Sequence, residues 1–144
     1  ALAWALQALQ PKNDALALSV GTCLTVNAQI QGVFHGGPIS PGLHLRLRAM
    51  HEHTAALPRV QIPAGPVEWM TPESTEQALQ AGAFYGLQAE ISDWMERWRM
   101  KSPEIVVYLT GGDVPALATT LKKGIFAAPK LAFAGLWAWS NEGN

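Results

Sequence analysis

A glycine–threonine pair between two strand-like segments is the first pattern in this chain that could do chemistry. Gly21 and Thr22 follow an apolar segment at residues 15–20 and precede a β-rich segment at residues 24–30, which is typical of a tight hairpin. Glycine lets a ligand approach the backbone closely, and the threonine hydroxyl adds a hydrogen-bond donor. The corner is therefore a candidate phosphate-binding turn, and the alternative is an ordinary hairpin turn that binds nothing.

Two further glycine pairs follow strand-like segments. Gly36-Gly37 come after residues 32–35, and Gly111-Gly112 come after residues 104–109. Ligands of open α/β sheets bind at the carboxyl ends of strands, where helix N-termini also present free N–H groups. The second pair, which precedes a predicted helix, is therefore also a candidate ligand-binding corner.

The triplet His51-Glu52-His53 has the composition of a metal site but not the geometry. On a predicted helix, side chains two residues apart point about 200° away from each other. The two histidines therefore cannot bind one ion in the way that i, i+4 spacing allows. A solvent-exposed helix face is the favoured interpretation.

The elements that must position these corners can be predicted from pattern. Residues 1–9 are helix formers without an N-cap, so we expect a helix there and a protein that begins upstream of Ala1. Residues 15–20, 24–30 and 32–35 predict an antiparallel meander. A rigid loop through Gly36-Gly37 and two prolines then leads to a helix from Pro41 to about residue 56.

The second half of the chain alternates helices and strands. Ser74 and Gln77 match a capping box and predict a helix to about residue 100. A buried strand at 104–109, a helix at 114–123, a turn at 126–129, a strand at 130–133 and a helix at 135–139 complete the prediction, with a parallel strand pair around the 114–123 helix. Gly82 and Gly86 lie on the broad apolar face of the long helix, which either packs tightly within the domain or forms a subunit interface.

Composition limits the class of protein. A chain of 144 residues with 49% hydrophobic and 15% charged residues folds as one domain with its own core. A net charge of −1 gives no electrostatic signature of nucleic acid or anionic membrane binding, so neither partner is expected. The single cysteine, Cys23, is expected to be buried and reduced, which predicts the cytoplasm.

The order of the predicted elements, a β-meander followed by alternating helices and strands, indicates an α/β fold. It is the order of the ribonuclease-H-like half-domain of the actin, hexokinase and acetate-kinase class. Enzymes of this class bind ATP between two such halves. The similarity is one of element order only.

Five stretches together resemble a specific family. They are residues 19–27 (SVGTCLTVN), 32–43 (GVFHGGPISPGL), 54–58 (TAALP), 110–113 (TGGD) and 135–136 (GL). They are similar, in this order and over nearly the whole chain, to the C-terminal half of type III pantothenate kinases, also called the Bvg accessory factor family. The resemblance implies that residues 1–144 form a single C-terminal ribonuclease-H-like domain whose N-terminal partner domain is missing from this chain.

The resemblance implies ATP-dependent phosphorylation of pantothenate, the first step of coenzyme A biosynthesis. It assigns ATP with Mg²⁺ to Gly21, Thr22, Gly111 and Gly112, and pantothenate to Thr75. The alternative role of Thr75 is that of a first-turn residue in the capping box. The resemblance also implies a homodimer and a monovalent cation, K⁺ or NH₄⁺.

The chain departs from the family pattern at two positions. Ser19 stands where the family usually has the aspartate that binds the monovalent cation, and Asn27 replaces a second usual aspartate. The family's general base lies in a motif upstream of Ala1, so no catalytic residue is assigned in this chain. The departures support the alternative of a non-catalytic ligand-binding or regulatory relative, and a sugar or acetate kinase of the same fold is a more distant one.

Overall fold

The computed structural model describes residues 1–63, 67, 70–117 and 125–141. The helices, in chain order, are α1 (Leu2–Leu9), α2 (Leu43–Glu52), α3 (Thr75–Lys101), α4 (Val114–Leu117) and α5 (Leu131–Asn141). The strands are β1 (Ala15–Val20), β2 (Cys23–Ile30), β3 (Val33–Pro41), β4 (Val106–Thr110) and β5 (Ile125–Ala127). This mixture confirms an α/β protein.

The five strands form one sheet in the order β3-β2-β1-β4-β5. The meander β1-β2-β3 is antiparallel, whereas β4 pairs with β1 and β5 pairs with β4 in parallel. The predicted meander is confirmed. A parallel pair follows it, but its second strand is β5 at Ile125–Ala127 rather than the predicted residues 130–133. The central strand β1 thus has a local hairpin partner on one side and a distant parallel partner on the other.

Side chains of β1 alternate between two apolar layers, as the two-residue period of a strand requires. Leu16, Leu18 and Val20 are buried in the main core, which α2 and α3 cover. Ala15 and Ala17 point to the opposite face, where they pack with apolar residues of α1 and α5. The central strand β1 is therefore covered on both faces.

The start of α3 confirms the predicted capping box with one change of partner. The Ser74 Oγ accepts a hydrogen bond from the Gln77 N–H at 3.2 Å. The Gln77 Oε1 accepts from the N–H of Glu73 at 2.8 Å, rather than from that of Ser74. Two N–H groups at the start of the longest helix are satisfied in this way.

Asp14 forms three hydrogen bonds at the end of the sheet where β1 begins. Its Oδ1 accepts a 2.8 Å hydrogen bond from the N–H of Gln31, and its Oδ2 accepts one from the Ser102 hydroxyl at 2.8 Å. Its backbone carbonyl accepts from the N–H of Val106 at 3.0 Å. The Gln31 N–H and then the Ser102 hydroxyl stabilise the carboxylate and lower the pKa of Asp14. Asp14 therefore has a structural role where three elements meet.

The segment around Gly36-Gly37 differs from its prediction. It is not a rigid loop but part of β3, which continues to Pro41. The β2–β3 register shifts between Thr25 and Asn27, and this irregularity accommodates a glycine pair followed by a proline. Helix α2 consequently begins at Leu43, with Gly42 as its N-cap, and ends at Glu52, so the predicted helix from Pro41 to about residue 56 was too long.

The C-terminal predictions were partly wrong. The turn expected at 126–129 overlaps β5, and the strand expected at 130–133 is the beginning of α5. The final helix predicted at 135–139 is confirmed within α5. The helix predicted at 114–123 is confirmed as α4 only at Val114–Leu117, and the remainder lies outside the described residues.

Two expectations from composition can be compared with the structure. Cys23 is half-buried at the start of β2, so the prediction of a buried side chain was wrong. Within the described ranges, no helix is long and apolar enough to cross a lipid bilayer.

Candidate functional site

The turn between β1 and β2 is the centre of the candidate site. The Gly21 N–H donates to the carbonyl of Cys23 at 3.1 Å, which closes the turn. Thr22 is exposed at its tip. The Thr22 carbonyl accepts a 2.9 Å hydrogen bond from the N–H of Gly42. The hairpin turn therefore rests against the residue that begins α2 and leaves the Thr22 side chain accessible.

Gly42 allows this contact because it has no side chain. A Cβ at this position would lie 1.9 Å from the Gly21 carbonyl oxygen and 3.0 Å from that of Thr22. Gly42 is also the N-cap of α2, so the positive end of the helix dipole faces the turn. Sequence reasoning assigned no role to Gly42, although a glycine after Pro41 and before an amphipathic segment is an N-cap signal.

Gly111 brings the second predicted corner to the same end of the sheet. Its φ of +106° suits glycine, and a Cβ there would lie 2.1 Å from the Val20 carbonyl oxygen. That carbonyl accepts a 3.1 Å hydrogen bond from the N–H of Asp113. Gly112 is exposed beside it, with nothing within 4 Å of its Cβ position. The corners at 21–22 and 111–112 therefore meet where β1 ends.

The third predicted corner does not contribute to this cluster. Gly36 and Gly37 lie within β3, and a Cβ on Gly37 would lie 2.3 Å from the Val26 carbonyl oxygen. Gly37 therefore allows close strand pairing rather than ligand approach. Gly42 takes the third place in the cluster instead.

A row of hydroxyl side chains crosses the sheet just below the hairpin turn. Ser19 is paired with Thr25 of β2 on one side and with Thr110 of β4 on the other. Paired residues on adjacent strands place their side chains on the same face. The Asn27 amide donates to the Thr25 hydroxyl at 3.3 Å, and the Thr110 hydroxyl donates to the Pro129 carbonyl at 3.4 Å. The row offers neutral oxygen ligands and no carboxylate.

Two buried oxygen atoms on either side of the hairpin have no hydrogen-bond partner among the described residues. They are Ser40 Oγ, on the strand residue paired with Leu24, and Asp113 Oδ2. Burial raises the pKa of Asp113, and the charge of His44 partly offsets this rise. A buried group without a partner is costly, so these atoms are available to a ligand that brings its own donors.

Two residues of the His51-Glu52-His53 triplet form contacts within the protein. The His51 Nδ1 lies 2.8 Å from the carbonyl of Leu57, and Glu52 forms an exposed ion pair with Arg48. Within the described ranges, no group of three or more histidine, cysteine, aspartate or glutamate side chains could hold a metal ion.

Thr75 is exposed in the first turn of α3. It is not among the residues whose contacts build the hairpin cluster. Its role in pantothenate binding stays a prediction, as do the roles of Gly21, Thr22, Gly111 and Gly112 in ATP binding and of Ser19 in cation binding.

Comparison with known proteins gives this arrangement a context. The family model described as type III pantothenate kinase matches residues 1–97. The type III pantothenate kinase of Phocaeicola vulgatus is 40% identical over 129 residues, which cover 89% of this chain and 52% of that protein. That of Bacteroides fragilis (strain ATCC 25285) is 40% identical over 130 residues, covering 88% of this chain and 51% of that protein. The chain therefore spans about half the length of the curated relatives it matches.

Among solved structures, a Baf family protein from Campylobacter jejuni superposes with a TM-score of 0.66 at 22% identity. The match covers 97% of this chain and 62% of that one. At this level of identity, the similarity supports the fold alone.

Proposed function

Since this chain belongs to the type III pantothenate kinase family, we propose that a protein containing it transfers a phosphoryl group from ATP to pantothenate, the first step of coenzyme A biosynthesis. The observation that carries the proposal is the meeting of the Gly21-Thr22 turn, Gly42 and Gly111 at the end of β1. These contacts create a narrow corner of backbone groups beside the N-terminus of a ten-residue helix, which suits an anionic ligand.

The corner would bind phosphates through local contacts rather than through a general attraction for anions. With a net charge of −1, the chain does not attract phosphates by its overall charge. Binding would depend on the exposed Thr22 hydroxyl and on close approach to Gly21, Gly111 and Gly112. Phosphates would then lie against backbone and the positive end of the α2 dipole.

The finer fold proposal follows from the topology. An antiparallel meander joined through β1 to two parallel strands is consistent with a ribonuclease-H-like half-domain of the actin, hexokinase and acetate-kinase class. We assign residues 1–144 to one such domain, corresponding to the C-terminal half of the family's enzymes. ATP would then bind between this domain and a second one.

In the proposed reaction, the primary hydroxyl oxygen of pantothenate forms a bond to the γ-phosphorus. The bond from that phosphorus to the β,γ-bridging oxygen breaks, ADP leaves, and a general base accepts the hydroxyl proton. This chain contributes positioning of the phosphates, and the base is assigned upstream of it. Mg²⁺ bound to the ATP phosphates would neutralise the charge that develops on them.

A monovalent cation would find only neutral oxygens at Ser19 and its paired threonines, Thr25 and Thr110. Hard cations prefer oxygen ligands and bind carboxylates more strongly. We therefore propose that K⁺ or NH₄⁺ binds here more weakly than at an aspartate. A Ser19→Asp variant should lower the K⁺ concentration that gives half-maximal turnover.

Thr75 would contact pantothenate from the first turn of α3, and the same helix would form a homodimer interface. Supporting the latter, the Cβ position of Gly82 has nothing within 4 Å, so a partner helix can approach. Sedimentation equilibrium of wild type and Gly82→Leu measures this, because a dimer through Gly82 should dissociate in the variant.

The decisive assay measures ADP release by the complete protein with pantothenate and Mg·ATP, in K⁺, NH₄⁺ or Na⁺. Thr22→Ala should reduce kcat/KM for ATP about 10- to 150-fold, the effect of one hydrogen bond to a charged group. Thr54→Ala is the matched control, because the Thr54 hydroxyl follows α2 and donates to the carbonyl of Met50 near the end of that helix. No pantothenate-dependent turnover in any salt, from a folded protein, would favour the non-catalytic relative.

A further inference from the structure

Arg46 connects three parts of the molecule near the hairpin cluster. Its Nε donates a 2.8 Å hydrogen bond to the carbonyl of Pro41, and its Nη2 pairs with the Glu90 Oε2 on α3. A Cβ on Gly86 would lie 3.4 Å from the Arg46 Nη1. The guanidinium thus lies between the start of α2 and the middle of α3, in a space that Gly86 leaves open.

The acceptor of Arg46 belongs to the peptide group that supports the hairpin turn. The carbonyl of Pro41 and the N–H of Gly42 are the two ends of one peptide plane. Arg46 binds the carbonyl end, and the N–H end donates to the Thr22 carbonyl at 2.9 Å. Because the plane is rigid, rotating it would break both hydrogen bonds together, and holding one end orients the other.

The ion pair with Glu90 differs from the other ion pairs in the described part of the chain. The Arg46 and Glu90 side chains are 22% and 27% exposed, and they join two helices. The Arg48–Glu52 and Arg97–Asp93 pairs are i, i+4 pairs with side chains 54% to 61% exposed. Exposed pairs of that kind contribute little, whereas a partly buried guanidinium that donates to two separate acceptors is held in one orientation.

We propose that Arg46 is a positioning residue that sets the orientation of the 41–42 peptide and, through it, the Thr22 turn. The contacts run from Glu90 on α3 through the guanidinium and the peptide to the Thr22 carbonyl. The inference rests on the proposed function only in that the positioned turn is the one assigned to ATP. We therefore predict that contacts with α3, the helix that carries Thr75, hold the Thr22 turn in one conformation.

The first test measures amide hydrogen exchange of Gly42 by NMR in the 144-residue chain. Arg46→Met keeps the apolar stem and removes the donors, so Gly42 exchange should rise about tenfold while β1 amides such as Leu18 change little. Arg46→Lys should behave like Arg46→Met, because an ammonium cannot present the fork geometry to both acceptors. Arg97→Met, which breaks an exposed pair on α3, should leave Gly42 unchanged.

Unchanged Gly42 exchange in Arg46→Met would overturn the proposal, and so would an equal rise at Gly42 and Leu18, which would mean general destabilisation. If Arg46→Met does not fold, Glu90→Met removes the acceptor of the Arg46 Nη2 with a side chain of similar length, and the same two outcomes decide the test.

The second test uses the complete protein. Arg46→Lys should raise KM for ATP about tenfold, the effect of losing about one hydrogen bond, and leave KM for pantothenate within about twofold, because only the turn assigned to ATP loses its order. If the wild-type protein shows no turnover, the proposed function fails, and the exchange experiment still decides the role of Arg46. Equal rises in both KM values would contradict the assignment of this turn to ATP.

Discussion

Replacing Gly42 by alanine should destabilise the chain at the hairpin cluster. The added Cβ would lie 1.9 Å from the Gly21 carbonyl oxygen, so the start of α2 or the turn must move by more than about 1 Å to reach ordinary contact distance. Overpacking of this kind costs about 1–3 kcal/mol. The movement also stretches the hydrogen bond from the Gly42 N–H to the Thr22 carbonyl, which contributes about 1 kcal/mol.

Two smaller effects act on the same variant. Alanine is a poorer N-cap than glycine by about 0.5–1 kcal/mol. Alanine also reduces the entropy of the unfolded chain, which offsets about 0.4–1 kcal/mol. The net expectation for Gly42→Ala is a loss of about 2–3 kcal/mol in unfolding free energy. For a domain of this size, that loss lowers Tm by about 5–10 °C.

Urea unfolding at 25 °C and thermal unfolding, both followed by circular dichroism, measure the loss. Gly21→Ala and Gly82→Ala are matched controls, because nothing lies within 4 Å of either Cβ position. Gly82→Ala should stabilise α3 by about 0.5–1 kcal/mol, the usual helix preference of alanine. A Gly42→Ala variant within about 0.5 kcal/mol of wild type, clear of the overpacking range, would refute the close contact on which the site is built.

Two carboxylates should give opposite pH dependences. The pKa of Asp14 is lowered by its hydrogen bonds to Gln31 and Ser102, so the stability that the carboxylate contributes is present above pH 3.8 and is lost as the pH falls through the folded-state value. Because solvent screens this largely exposed carboxylate, Asp14→Asn should cost less than about 1 kcal/mol at pH 7 and little in acid, measured by urea unfolding. The pKa of Asp113 is raised by burial, so the stability from its protonated form is complete below pH 3.8 and is lost as the pH rises through the folded-state value. Asp113→Asn should therefore gain stability relative to wild type between pH 4 and pH 7. A difference between the two proteins that does not change with pH would contradict the burial argument.

Local signals predicted much of the fold. The bounds of β1 and the Ser74 cap at the start of α3 follow from apolar runs and side-chain chemistry that act within a few residues. The extension of β3 through Gly36-Gly37 was not predictable in this way. It depends on pairing with β2 at the sheet edge, where a bulge accommodates glycine and proline.

The C-terminal helix was missed at its first residues for a different reason. Apolar residues follow one another from Leu131 to Trp139 with little alternation, so a period of 2 and a period of 3.6 fit equally well. Packing of α5 with α1 decides the outcome, through Leu131 and the close contact of Gly135 with the Ala1 carbonyl. That contact joins the two ends of the chain and has no local signal.

Some residues of the candidate site could be predicted from the sequence, and others could not. Gly21-Thr22 and Gly111-Gly112 could be recognised because a turn after a strand has a composition of its own. Gly42 and Arg46 act through contacts with residues distant in the sequence, so only the structure assigns them a role. Asp113 stands next to a recognised corner, but its electrostatic interaction with His44 of α2 joins residues that are distant in the sequence.

The central position of β1 has a consequence for the order in which the molecule folds. Its hairpin with β2 closes over a few residues, whereas the parallel pair requires Ala15 to meet Val106. Closing the longer loop costs more chain entropy and slows the step. We expect the meander to form before β4 pairs with β1. During synthesis, the edge of β1 that later pairs with β4 is then transiently without a partner strand. The Gly111 corner, which docks on the end of β1, would then be completed last, and the candidate site would appear only when the whole sheet has assembled.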